Sequence, residues 1–241
     1  MTAKPYQLSR DPIFFAMAAI FAVLTTALPA VLGQPRFLPI AQAVALTLFL
    51  AVPLRQSDRR GAFGVVFGWL GLAMLTLLVL TWLLPLQMER AFDDGFLHRA
   101  AVSEWYYANY PLPASFGTQL LPSLIEIVGV TLGSLLTGGV VGAWFLLKVA
   151  NLAAFSAGAL LLTLGSPLLL PIALPVWSVL QVVGGGGLLV LLAEPLVCGH
   201  FGAGIANLAG ARRRPLLIFS AVYGLGLLLE LLLPSFWHFT G

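Results

Sequence analysis

Charge is what this sequence has least of. Charged residues make up 9% of its 241 positions, where a soluble domain carries about 25%, and this excludes an ordinary soluble protein. Cysteine is almost missing as well. Cys198 stands alone, so no intrachain disulfide can form, and its place near a helix end suits a small buried residue. Histidine occurs only at positions 98, 200 and 238. No His-x-x-x-His or Cys-x-x-Cys pair exists, and the expected topology puts His200 on the face opposite His98 and His238. The sequence therefore gives no metal set, no haem site and no other cofactor motif. Gly202-Ala203-Gly204 breaks off at Asn207 and follows no strand, so it is no nucleotide loop. Ser134 lacks a histidine at matching depth, so it is no intramembrane protease nucleophile. There is no repeat of fixed period and no low-complexity tract.

What is abundant is apolar sequence, at 60% hydrophobic residues. Long uncharged runs alternate with short charged clusters, and about 20 apolar residues of helix cross about 30 Å of hydrocarbon. The chain reads as an all-α, polytopic integral membrane helical bundle, a single membrane domain over 1–241. Seven spans are expected, near 13–33, 38–54, 62–85, 120–147, 149–167, 172–196 and 215–234. The fifth is the weakest, since it is short and carries Asn151, Ser156 and Thr163. Were it re-entrant, six crossings would remain. The first run, after Lys4 and Arg10, is longer than a signal-peptide core and has no clear cleavage site behind it, so it reads as a membrane helix.

Basic residues, which give a net charge of +3, serve here as topology signals rather than as a nucleic-acid footprint. With a cytoplasmic N-terminus, the inner face receives Lys4, Arg10, Arg55, Arg59, Arg60, Lys148, Arg212, Arg213 and Arg214. The outer face receives Arg36, Arg90 and Arg99, and the C-terminus lies outside. Trp82, Trp105, Trp177 and Trp237 then gather at the outer boundary, where amphipathic rings favour the headgroup layer. Arg212–Arg214 also suit anionic headgroups on the inner side. The one long loop, 86–117, begins with a short amphipathic helix. Met88, Phe92 and Phe96 recur every four residues among acids and bases, as in a helix lying on the interface. The aromatic segment Trp105–Tyr110 reads as an interfacial belt, or alternatively as a lid.

Four groups of residues are candidates for function or assembly. Gly129, Gly133, Ser134 and Gly142 form small-xxx-small rows that let helix backbones approach closely. They mark the fourth span as the expected centre of the bundle, or as a surface for a second copy or another membrane subunit. Gly184, Gly185, Gly186 and Gly187 interrupt the sixth span, and Gly138-Gly139 interrupts the fourth. Broken helices near the midplane are how many transporters build solute sites. Glu126 and Glu230 lie inside spans, where an acid is a functional candidate by default. Their depths are comparable, which would allow a shared proton, and His98, His238, Arg90 and Arg99 are available as pairing partners. Glu194 and Lys148 are expected to form a structural ion pair at the inner surface.

These features support a small permease-like transporter or permease subunit of the plasma membrane, handling a solute or ion. A non-catalytic subunit of a larger membrane complex is the alternative. An enzyme acting on a lipid-borne substrate has the least support, since no nucleophile–base pair is legible.

Overall fold

The computed structural model describes Leu8, 11–108, 110–113, Ser115, 119–199 and 201–237. Lys4, Arg10, His200 and His238 lie outside the described residues. Every regular element among the described residues is helical. Among the described residues, seven helical spans are long and apolar enough to cross a membrane. The first three are α1 (Pro12–Val31), α2 (Phe37–Arg55) and α3 (Arg59–Leu83). Two short helices follow, α4 (Pro85–Arg90) and α5 (Gly95–Ala108). The fourth span, Leu120–Thr137, consists of α6 (Leu120–Val128), a π-helical turn (Gly129–Gly133) and α7 (Ser134–Thr137). The fifth is α8 (Val140–Leu164), followed by the short α9 (Leu170–Ala173) and the sixth span α10 (Val176–Val197). The short α11 (Phe201–Ala209) leads into the last span, α12 (Arg213–Leu232). The long loop thus holds two helices rather than one, turning at Asp94 (φ 54°). The second runs on through Trp105 to Ala108.

The largest departure from expectation lies at Gly138-Gly139. Both residues have positive φ, 62° and 101°, a region that glycine enters without steric cost. The chain reverses there. The fourth span ends at Thr137 instead of running to 147, and the fifth becomes a full crossing of 25 residues. Lys148 moves with that boundary. It lies eight residues into α8, about 12 Å along its axis, and not at a helix end.

The reversal also changes which span is central. Some 67% of the apolar stretch of α10 and 61% of that of α8 are buried, against 17% for the fourth span and 11% for α12. The fourth span is therefore peripheral. Its small residues face α8 within the same chain. A side chain at Gly129 would overlap the Phe145 ring, one at Gly142 would overlap Ser134, and a Cβ at Gly133 would stand 2.7 Å from Val141. The two halves of this span behave differently. The π-helical turn and α7 pack on α8 and α10, while α6 makes little contact with any other span.

The glycine run in α10 forms no hinge, for the helix is unbroken from Val176 to Val197. All four glycines are buried, and each accommodates a neighbour. A Cβ at Gly184 would lie 2.5 Å from the Tyr223 backbone nitrogen, one at Gly185 2.7 Å from Leu146, and one at Gly186 3.0 Å from Phe67. A Cβ at Gly187 would overlap the Phe219 ring. α10 and α12 consequently form the most extensive helix pair in the structure. Without a hydrophobic drive between helices in lipid, close packing of this kind is what holds them together.

The main core joins α1, α2, α3, α8 and α10 around Leu46, Leu50, Trp69, Leu146 and Leu189. Below it lies the face with Arg55, Arg59, Arg60 and Arg212–Arg214, called here the arginine face; the opposite, loop face carries α4 and α5. At the arginine face Glu194, only 6% exposed, pairs with Arg212 (2.6 Å) and Arg59 (3.3 Å). The expected partner, Lys148, is half a span away inside α8. Cys198 caps α10 and places its Sγ 3.4 Å from the Leu54 carbonyl.

Candidate functional site

A cavity of about 360 Å³ lies between α6, α8, α10 and α12, under the helices of the loop face. It exists because α6 stands off from the bundle. The sequence accounts for that difference within one span. The lower half carries glycine and serine and closes onto α8. The upper half turns Leu120, Leu121, Leu124, Ile125 and Val128 outward, all exposed, and presents Ser123 and Glu126 to the cavity.

The hairpin at Gly138-Gly139 sets what faces Glu126. Gly133 lies against Val141 and Gly129 against Phe145. In this antiparallel register each step back along the fourth span matches one step forward along α8, which puts Glu126 opposite Lys148. Both line the cavity, and the Lys148 charge acts on the Glu126 carboxyl. Neither closes a hydrogen bond, or an ion pair within 4.0 Å, among the described residues. Lys148 also sits 5.4 Å from the centre of the Trp144 ring.

Glu230 lines the same cavity from α12. It accepts a 2.8 Å hydrogen bond from the Gln181 amide of α10. The buried Tyr223 phenol lies within electrostatic reach of both Glu126 and Glu230. The two acids therefore share one cavity, at about 9 Å and about 3 Å from the ends of their helices.

Two further polar clusters border the site. Gln42 and Asn151 are buried, at 0% and 2% exposure, and exchange amide hydrogen bonds of 2.7 and 3.3 Å. Gln42 also donates to Thr26 at 2.7 Å. This bond set ties α1, α2 and α8 together, and Asn151 forms part of the cavity wall. Above it, His98 of α5 hydrogen bonds Ser156 of α8 at 2.8 Å, next to the stacked pair Phe92–Phe155, whose centroids are 4.4 Å apart. Burial holds the His98 imidazole below its ordinary pKa of 6.5.

An aromatic roof closes the loop face. Trp105 is 2% exposed and meets Trp177 edge-on, which in turn meets Trp237 at 5.2 Å. Trp105 donates to the Pro234 carbonyl, and Trp237 to that of Ile172. Trp105 and Tyr106 are thus buried, while Tyr107 and Tyr110 are exposed. Only part of the aromatic segment is placed as an interfacial belt would be.

Of the residues singled out in the sequence, Glu126 and Glu230 meet in this cavity. Gly184–Gly187 do not line it. Gly138 and Gly139 lie against Val197 and Ala193 at the arginine face. Lys148 lies within α8 and not at the expected inner end of the fourth span; a single apolar run hides the hairpin. Gln42, Gln181 and Tyr223 went unnoticed, although an amide inside an apolar run is itself a signal. Asn151 and Ser156 counted only as weaknesses of the fifth span.

Seven apolar spans among the described residues, packed around an apolar core with one cavity that holds polar groups, fit a multi-pass integral membrane protein. Comparison with protein-family models gives no match, and comparisons with curated proteins and with solved structures give none.

Proposed function

We propose that this protein is a small permease-like carrier of the plasma membrane that moves a polar solute through the cavity under α5. The N-terminus is cytoplasmic and the arginine face is inside, following the bias of Lys and Arg. One observation carries the reading. Glu126, Lys148 and Glu230, all within membrane-spanning helices, converge on one cavity, and ionisable groups so placed mark substrate or proton paths. Glu126 and Glu230 supply the proton-binding groups.

The test is flux in liposomes containing the purified chain. A pH gradient is imposed, and internal pH is followed while candidate solutes are added outside. Coupled flux is expected from the native protein. Glu126→Gln and Glu230→Gln are each expected to lower it at least tenfold. If both variants match the native rate, the coupling idea fails.

A second reading, a subunit of a larger membrane complex, draws on a different observation. α12 and the fourth span are the least buried spans, and Leu121, Leu124, Ile125, Leu132 and Leu136 form an exposed apolar face. Such a surface suits lipid or another helix. The small-residue rows do not provide it, since they are used up against α8. Purification from native membrane in gentle detergent, followed by mass spectrometry, separates the two readings. Stoichiometric partners would favour the subunit, and a homogeneous single chain the carrier.

A further inference from the structure

We infer that the cavity binds a zwitterion, its ammonium group held at Glu126 and its anionic group at Lys148. The carriage of this ligand rests on the reading above, whereas its binding does not.

The argument begins with which polar groups are already engaged. Glu230 holds the Gln181 amide, Asn151 holds Gln42, and His98 holds Ser156. Asp93 lines the cavity from the turn between α4 and α5, while Glu126 and Lys148 are the oppositely charged pair within the spanning helices that remains open on its wall. They have opposite sign, sit on opposite sides of a hairpin, and are fixed in register by the glycine contacts below them. A cationic ligand at Glu126 would leave Lys148 without a directly bonded counter-charge, and an anionic ligand at Lys148 would do the same to Glu126. An uncompensated charge within a bilayer is costly. A ligand with both charges meets both of these groups and brings no net charge into the membrane.

Size and lining narrow the class. About 360 Å³ is near the lower end of small-molecule sites, which run from about 300 to 1,000 Å³. Leu152, Leu160, Trp177 and Leu227 complete the wall, so a short apolar body is accommodated beside the charges. Two sources offer this chemistry: a free amino acid, and the ammonium–phosphate headgroup of a phospholipid.

Trp105 and Trp177 line the cavity and report on it through their fluorescence. The purified full chain is titrated with L-alanine, L-leucine and 4-aminobutyrate, and with propionate and propylamine as singly charged controls. In parallel, its melting temperature is compared in nanodiscs of phosphatidylethanolamine and of phosphatidylglycerol. A free zwitterion as ligand predicts a Kd at least tenfold below both controls. Glu126→Gln should reduce the zwitterion to the level of propionate, Lys148→Gln should reduce it to that of propylamine, and Lys148→Arg should retain binding. A lipid ligand predicts instead a higher melting temperature in phosphatidylethanolamine that both Gln variants abolish. Size-exclusion profiles confirm that the variants fold. The inference is overturned if a singly charged control binds as well as the zwitterions. It is equally overturned if neither arm responds to Glu126→Gln and Lys148→Gln. Zwitterion binding without uptake in liposomes would sink the carrier reading and leave the site. Uptake of an ion of one sign without zwitterion preference would sink the site and leave the carrier.

Discussion

The two ends of this bundle treat charge in opposite ways. At the arginine face, buried Glu194 is held by two arginines from two other segments, and close glycine contacts bring the helices together around it. Toward the loop face, Glu126 and Lys148 face each other across a cavity without closing. The fourth span takes part in both ends. Its small-residue half is packed, and its large-residue half stands away. A group whose charge is fully satisfied fixes geometry. A group left open carries an electrostatic cost that folding alone does not recover. The packed end is built as scaffold, and at the open end the proposed ligand would offset that cost.

The strongest challenge to this contrast is Glu194→Ala. It strands Arg212, which is only 14% exposed, and frees Arg59, which is 46% exposed. Breaking a buried ion pair costs about 3–5 kcal/mol. The exposure of Arg59 lowers the expectation here to about 2–4 kcal/mol, since exposed pairs contribute little. Thermal unfolding in detergent measures it. A loss below what surface charge removal gives would mean that the arginine face is not the stable end. Gly184→Ala comes next. Its methyl would meet the Tyr223 backbone at 2.5 Å, and backbone cannot swing aside as a side chain can. Overpacking of this kind costs about 1–3 kcal/mol, here by prying α12 from α10. A variant as stable as the native chain would show that the contact is looser than drawn.

At the open end the sign reverses. Glu126→Gln is expected to leave stability unchanged or to raise it by up to about 1 kcal/mol, because functional groups are commonly kept at the expense of stability. It should at the same time abolish coupled flux. Stability and activity moving together would make Glu126 a structural residue like Glu194.

How much of this was legible differs between the same two ends. Hydropathy and the bias of Lys and Arg together led to seven spans, because backbone must be helical in lipid, the apolar runs have about the required length, and six crossings would put Arg212–Arg214 outside. Hydropathy also led to Glu126 and Glu230, since an acid in such a run stands out. It did not reveal the Gly138-Gly139 hairpin. Both glycines lie in one uninterrupted apolar run, and a turn and a packed glycine pair look alike in sequence. Misplacing that turn moved Lys148 by half a membrane and paired it with the wrong glutamate. The run Gly184–Gly187 posed the same ambiguity. It resolved toward packing because α3, α8 and α12 all press on α10, a three-sided burial that linear sequence does not display.

The smallest effect expected is also the most specific to the cavity roof. His98 joins α5 to Ser156, and burial keeps its pKa below 6.5. Asp93 and Asp94 are charged neighbours on its own loop, and the Arg99–Glu89 pair (2.9 Å) lies on the same two short helices. In the unfolded chain the imidazole takes up a proton near pH 6.5, while in the folded chain it does so only at lower pH. Between those values the unfolded state binds more protons, so stability rises with pH. The contribution of His98 is therefore complete above about pH 6.5, and it is lost as pH falls toward the folded pKa. Hydrogen exchange of α5 reads this directly. Protection of Gly95–Ala108 should fall between pH 7 and pH 5 while that of α8 and α10 holds. His98→Gln, which keeps a polar group near Ser156 without a titrating proton, should flatten the profile. A fall of the same size in the His98→Gln variant would show that the pH response does not come from His98.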